Sequence, residues 1–266
     1  MARTKPIWWG EFKSADFARI DAEATIAVLP VAAIEQHGPH LPLSTDADIM
    51  AGMIGEAAAR LPADLDVRFL PIQPVGKSNE HVYAPGTLSL SPANLVEAWT
   101  QIGASVAAAG VRKIVIVTSH GGNEEVTGIV ARELRVAHAM LAARSSWGRF
   151  GHPDGLFDEA ELRQGIHGGD VETSLMLHFR PELVEMKKAR NFVSAFGKME
   201  KRFDLLRPHG PHSFAWIASD LNPAGVVGNA AAATAEKGRL TAGHQADGFV
   251  RLLKDMRKAK LADLLS

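Results

Sequence analysis

Short β-branched apolar runs alternate with alanine-rich helical stretches along much of this chain. The clearest run, Lys113–Thr118 (KIVIVT), is continuous and predicts a strand buried on both faces. Residues 25–33 predict a second buried strand, and residues 67–75 a third, in which Pro71 and Pro74 favour an edge position or an early end. Strands separated by helices at this spacing are typical of βαβ units, so we predict an α/β fold with a mostly parallel sheet and helices on both faces.

Helical spacing of apolar residues predicts helices over residues 46–59, 91–109 and 124–141, and one or two closing helices over residues 230–265. Two other stretches, residues 146–165 and 191–223, are rich in Gly, Pro, His and aromatic residues and have weak periodicity. Such long loops are more often functional than linkers. Because no linker-like composition or internal repeat appears, we expect one domain over residues 1–266.

The charge balance and the lack of cysteine exclude several functions. Lys and Arg number 29 against 30 Asp and Glu, so there is no basic excess for a nucleic-acid partner. Without cysteine there is no thiolate zinc site, iron–sulfur cluster or thiol nucleophile, whereas 11 histidines are available as nitrogen ligands. The N-terminal residues lack the apolar segment of a signal peptide, and no apolar run approaches the ~20 residues that span a membrane. We therefore expect a soluble, cytoplasmic protein without membrane partners.

Polar side chains follow two of the predicted strands. Glu35 and His37 come directly after the first, Asp46 returns through a Pro- and Gly-bearing loop, and His120 follows KIVIVT. In open parallel sheets, ligands bind beyond the carboxyl ends of the strands. A lone histidine in such a loop is usually an ordinary polar residue, but carboxylates together with imidazoles suit a pair of divalent ions. The pattern predicts a metal site built from these four residues.

A third polar cluster, residues 166–173 (IHGGDVET), precedes an apolar helical run. An N-capped helix accounts for Asp170 and Glu172, since carboxylates are favourable at the positive end of the helix dipole. It does not account for His167 beside two glycines, which suggests a backbone held close to another group.

Taken in order, these motifs resemble the creatininase (creatinine amidohydrolase) family. The matching segments are EQHGPHLP at 35–42 with Asp46, NEH at 79–81, PGTLSL at 85–90, HGGN at 120–123, HGG at 167–169 with ETS at 172–174, and AEKG at 235–238. The resemblance covers residues 26–240 and implies a three-layer α/β/α fold, a binuclear metal site and hydrolysis of a C–N bond in a small amide, cyclic amide or formamide.

By this resemblance Glu35, Asp46 and His120 hold one ion, and His37 with a bridging Asp46 holds the other. In creatininase itself the histidine matching His120 is followed by an aromatic residue and a metal-binding glutamate, where this chain has two glycines. We therefore expect Glu172 to supply the missing carboxylate and doubt that creatinine is the substrate. The alternatives to Glu172 are the two glutamates that begin the next helix, Glu124 and Glu125.

The expected chemistry is metal-assisted hydrolysis, in which two ions activate a water and polarise the carbonyl. Glu172 or an adjacent carboxylate would accept the water's proton, and His167 would protonate the departing nitrogen or, alternatively, hydrogen-bond a metal ligand. The expected substrate-binding residues are His40 and His81, which would line the pocket, and Gly121, Gly122 and Asn123, whose backbone would donate to the oxyanion or simply permit close packing.

Nitrogen and oxygen ligands leave the metals open: we expect zinc, with manganese, iron or cobalt as alternatives. The resemblance also implies a homo-oligomer, expected to be a hexamer. Two other functions remain open at this stage. One is a metallopeptidase acting on a small peptide, and the other is a metal-binding oligomer without catalytic activity.

Overall fold

A four-stranded parallel sheet lies at the centre of the protein, and the computed structural model describes residues 6–265. Its strands are β1 (Ile26–Val31), β2 (Val67–Phe69), β3 (Lys113–Thr118) and β4 (Leu141–Ser146), in the order β2-β1-β3-β4. The register sets the last residue of β1 beside the last residue of β3, which in turn lies beside the last residue of β4. The carboxyl ends of these three strands therefore meet at one edge of the sheet.

Helices surround this sheet, and a short antiparallel pair, β5 (Asn191–Phe192) and β6 (Gly228–Asn229), lies apart from it. The helices are α1 (Ser14–Phe17), α2 (Thr45–Arg60), α3 (Pro92–Ala108), α4 (Glu124–His138), α5 (Glu159–Gln164), α6 (Asp170–Phe179), α7 (Phe196–Arg202), α8 (Ala218–Leu221), α9 (Ala235–Lys258) and α10 (Leu261–Leu265).

Alternate residues of the central strands face opposite apolar cores, as the two-residue period of a strand requires. Ile26 and Val28 pack in one core with α2 and α9, whereas Ala27 and Leu29 pack in the other with α3 and α4. Both faces of β1 are fully buried. This arrangement confirms the predicted α/β fold, with a mostly parallel sheet between two helical layers.

The structure differs from the sequence-based expectation at β4. The predicted helix over residues 124–141 ends at His138, because Ala139 adopts a left-handed conformation with φ of 52° and reverses the chain. Leu141 then begins an edge strand, LAARSS, most of which is only partly buried. This strand lacks the apolar run that marks β1 and β3, which explains why the pattern did not reveal it. By contrast, β2 ends before Pro71, as predicted.

Within residues 6–265, none of the helices combines the length and the apolar character needed to cross a membrane. We expected no signal peptide at the N-terminus. Residues 1–5 of that segment lie outside the described residues.

Candidate metal centre and active site

The predicted ligands converge where β1 and β3 end. Glu35 and His37 lie on the loop that follows β1, and Asp46 lies in the first turn of α2. The backbone N–H of Glu35 donates to the carbonyl of Leu43 at 3.0 Å, which folds the loop back so that both of its ends face the same space. His120 enters that space two residues beyond β3. All four side chains are at least 95% buried.

Two groups of three possible ligands share Asp46. The first comprises Glu35, Asp46 and His120, with His120 Nδ1 lying 3.2 Å from Glu35 Oε1 and 3.6 Å from Asp46 Oδ2. The second comprises His37, Asp46 and Glu172, with His37 Nε2 lying 3.8 Å from Asp46 Oδ1 and 3.8 Å from Glu172 Oε2. Within each group the ligand atoms lie within 4.8 Å of one another. This geometry can hold two ions with Asp46 between them.

Glu172 reaches the centre from the first turn of α6. Its Oε2 also accepts a hydrogen bond of 2.5 Å from the backbone N–H of Gly168, and its side chain is 25% exposed. The alternative glutamate Glu124 points elsewhere, because its carboxylate pairs with the guanidinium of Arg149 at 2.5 Å. Of the carboxylates that the sequence offered as the missing ligand, Glu172 is the one that lies beside the other proposed ligands.

Unpartnered buried atoms provide a test of whether a metal fits. Glu35 Oε1, His37 Nε2 and Asp46 Oδ2 are buried and accept no hydrogen bond, and all three face the shared space. Leaving such atoms without a partner costs about 1–3 kcal/mol each, and more where the group is charged. Carboxylate oxygens and an imidazole nitrogen are hard and borderline ligands for divalent ions. The donor set therefore fits metal binding.

Burial and neighbouring charges shift the pKa values of these groups. Burial opposes ionisation of Glu35, but the surrounding imidazoles, above all that of His120, outweigh burial and hold the pKa of Glu35 well below its usual value. Burial and the charge of Glu35 raise the pKa of Asp46 well above its usual value. Burial lowers the pKa of His120, but Glu35 and Asp46 overcome this and raise it to about 10. A divalent ion would replace the protons that these groups carry.

In both His37 and His120, the ring nitrogen that points away from the centre is hydrogen-bonded to a backbone carbonyl, which fixes the nitrogen that faces the centre. His37 Nδ1 lies 3.1 Å from the carbonyl oxygen of Glu35, and His120 Nε2 lies 2.8 Å from that of Lys77. A ring nitrogen beside a carbonyl must carry the hydrogen, so in the neutral imidazoles that bind a metal the lone pairs lie on His37 Nε2 and His120 Nδ1. The backbone therefore presets both imidazoles as metal ligands.

His167 and His81 also lie at the centre. His167 Nε2 donates to the carbonyl of Gln36 at 2.7 Å, which directs Nδ1 towards Glu35 Oε1 at 3.6 Å. With Glu35 and His37, His167 forms a third possible ligand group, which sequence analysis did not anticipate. His81 accepts at Nδ1 from the amide of Gln36 at 2.8 Å, so its Nε2–H points to Glu35 Oε1, 3.5 Å away.

Two further residues support the centre and were missed by sequence analysis. Ser78 Oγ donates to Glu35 Oε2 at 2.5 Å. The Gln36 amide contacts both His81 and His167. Serine and glutamine are common in loops, so only the position of Gln36 between Glu35 and His37 offered a signal.

The HGGN segment holds a neighbouring loop in place. The amide oxygen of Asn123 accepts from the backbone N–H of Lys77 at 2.9 Å, and its NH₂ group donates to the carbonyl of Ala32 at 3.0 Å. The prediction for Asn123 concerned its backbone N–H, which donates to the carbonyl of His120 at 3.3 Å. Its side chain is engaged in internal hydrogen bonds through both amide atoms. Gly121 is exposed with open space around it, whereas Gly122 is closely packed.

His40 lies beside the centre rather than in it. Its Nε2 donates to Thr173 Oγ1 at 2.9 Å and its ring stacks on Phe192, while Nδ1 is buried without a hydrogen-bond partner. Burial lowers the pKa of His40 to about 4 and that of His81 to about 3. Both imidazoles are therefore neutral at pH 7.

Comparisons with known proteins give one family. The creatininase family model, described as creatinine amidohydrolase, matches residues 10–253. The mycofactocin precursor peptide peptidase of Mycobacterium tuberculosis is 30% identical over 91% of this chain and 90% of its own length. Its counterpart in Mycolicibacterium smegmatis is 35% identical, but that match covers only 59% of each chain. A solved manganese form of creatininase superposes with a TM-score of 0.75 at 25% identity, over 94% of this chain and 98% of the other.

Proposed function

Because the chain belongs to the creatininase family of hydrolases, we propose that it hydrolyses the C–N bond of an amide at a centre of two divalent ions. The observation that carries this proposal is the set of buried, unpartnered ligand atoms on Glu35, His37 and Asp46. Glu35, Asp46 and His120 would hold one ion, and His37, Asp46 and Glu172 the other. Zinc is the first expectation, and the manganese creatininase supports manganese as the second.

Bound ions would activate a water molecule and polarise the substrate carbonyl. Glu172 is placed to accept a proton, since its carboxylate is at the centre and is the most exposed of the proposed ligands. Burial raises the pKa of Glu172, which favours proton uptake by this carboxylate.

His167 would supply a proton to the departing nitrogen. Its Nε2–H is fixed on the carbonyl of Gln36, so the proton that it can gain or lose lies on Nδ1, which faces the centre. His81 presents a fixed Nε2–H to the same space. That N–H can orient a carboxylate ligand or a substrate oxygen.

Substrate would approach from the side of Glu172. Glu35, His37 and Asp46 are almost completely buried, whereas the Glu172 side chain is 25% exposed. This opening favours a substrate that presents one amide bond to the ions. The neutral His40 imidazole would line its inner wall.

We propose a small amide, cyclic amide or formamide as the substrate class, in keeping with the creatininase fold. A short peptide is the second candidate, favoured by the two mycobacterial relatives that are named as peptidases. A panel of small amides, formamides and short peptides, assayed with zinc- or manganese-loaded protein, separates the two. Release of amino acids or shorter peptides alone would support the second candidate, and turnover of small amides alone the first.

The test of the centre itself uses Glu172→Gln with Glu124→Gln as its matched control. We expect Glu172→Gln to lose one of two bound ions and to lower the turnover rate by orders of magnitude, because a neutral amide is a much weaker ligand. Glu124→Gln should retain both ions and its activity, since Glu124 pairs with Arg149 at a distance from the centre. An unchanged ion content in Glu172→Gln would refute Glu172 as a ligand.

We further propose that the whole chain forms one domain, that it assembles as a homo-oligomer, expected to be a hexamer, and that it acts in the cytoplasm. Light scattering after size-exclusion chromatography tests the assembly. A monomer across micromolar concentrations would contradict it.

A further inference from the structure

Glu80 occupies a slot that exists because residue 122 is glycine. A Cβ atom built on Gly122 would overlap Glu80 Oε1 and His120 Nε2, and would lie 2.6 Å from the carbonyl oxygen of Lys77. Gly122 does not have a positive φ, so space rather than backbone conformation requires glycine there. The neighbouring Gly121 has no atom within 4 Å of its Cβ position. The need for glycine is therefore specific to the position against Glu80.

The Glu80 carboxylate lies on the outer side of the His120 ring. Its Oε1 is 3.6 Å from His120 Nε2, the nitrogen whose hydrogen is donated to the Lys77 carbonyl. The opposite nitrogen, Nδ1, faces Glu35 and Asp46. One imidazole thus separates the outer carboxylate from the proposed ligands.

Lys77 holds Glu80 in this position. Its ammonium group lies 2.8 Å from Glu80 Oε2, which leaves Oε1 directed at the imidazole. The Glu80 side chain is only 11% exposed, so solvent weakens its field at His120 less than at a surface site. The backbone carbonyl of Glu80 also accepts from the N–H of Ala218 at 3.1 Å, which fixes the loop.

We propose that Glu80 is a positioning residue of the metal centre and that it acts through His120. A carboxylate near the outer N–H of a metal-bound imidazole fixes the ring and makes the inner nitrogen a stronger ligand. Gly122 provides the space for this carboxylate, and Lys77 fixes its direction. This inference rests on the proposed metal centre.

The test measures zinc affinity by competition with a chromogenic chelator, for the full chain and for Glu80→Gln. We expect Glu80→Gln to weaken binding about 10–100-fold. Glu125→Gln, a change of an exposed glutamate two residues beyond Asn123, is the control and should bind as the wild type does. Lys77→Met keeps the backbone carbonyl and should give a smaller loss than Glu80→Gln. Thermal unfolding of each metal-free variant checks that the folds are intact.

A second comparison separates action through His120 from a general effect of charge. In a His120→Ala background, adding Glu80→Gln should change the remaining zinc affinity less than threefold. The same 10–100-fold loss in both backgrounds, or no loss in the single variant, would overturn the inference. Wild-type protein that bound no zinc would instead refute the proposed metal centre, and the two failures are therefore distinguishable.

Discussion

Asn123→Ala should release the loop that carries Ser78, Glu80 and His81. The Asn123 side chain accepts a hydrogen bond from the Lys77 N–H at 2.9 Å and donates one to the Ala32 carbonyl at 3.0 Å. Asn123 is fully buried, and each polar group left unpaired costs about 1–3 kcal/mol. With two such groups, the loss in the free energy of unfolding should be about 2–6 kcal/mol.

For a chain of this size, about 1 kcal/mol corresponds to 2–4 °C in Tm, so we expect Tm to fall by about 4–24 °C. Differential scanning calorimetry of the metal-free protein measures this change. Asn94→Ala, at an exposed position in the first turn of α3, is the control and should leave Tm nearly unchanged. If Asn123→Ala melts within about 2 °C of the wild type, the two hydrogen bonds of the Asn123 side chain are not what holds the loop.

Two further changes probe the packing around the site. Gly238→Ala should lower Tm by about 4–8 °C, because its Cβ would overlap the carbonyl oxygen of Ser174 and force α9 away from α6. In the control, Gly243→Ala on the same helix, the added Cβ meets only the tip of the Arg60 side chain, so Tm should not fall. Equal Tm values for the two variants would contradict this packing. His40→Gln should reduce the pH dependence of stability: the folded pKa of about 4 lies below the unfolded value near 6.5, so the unfolded chain binds more protons as pH falls from about 6.5 to 4 and the wild type loses stability there. Denaturant titrations of the metal-free proteins at pH 7 and 4.5 give the free energy of unfolding at each pH. An equal loss of stability between the two pH values in the wild type and in His40→Gln would contradict the prediction.

The layered fold and the convergence of Glu35, His37 and His120 were predictable from the sequence. Parallel strands with long apolar runs are recognisable, and their carboxyl ends must meet at one edge. The edge strand Leu141–Ser146 was not predictable, because its composition, LAARSS, lacks the apolar period of a buried strand. Its position depends on pairing with β3, which is a tertiary contact.

The supporting residues of the site were harder to predict than the proposed ligands. Gln36, Ser78 and Glu80 are ordinary loop residues in the sequence, and their contacts arise only when the loop after β2 packs against the end of β1. Asn123 shows the same limit. Its place at the start of a helix predicted a backbone donor to the substrate, and the sequence did not indicate that its side chain hydrogen-bonds to backbone groups of two other segments.

The central claim is that the buried carboxylates and imidazoles hold two divalent ions. The most direct measurement is the metal content of the purified chain after loading with zinc or manganese and removal of excess ion, determined by inductively coupled plasma mass spectrometry. We predict two ions per chain for the wild type and at most one for Asp46→Asn, since Asp46 belongs to both ligand groups. A wild-type chain that retains no ion under any loading condition would contradict the account.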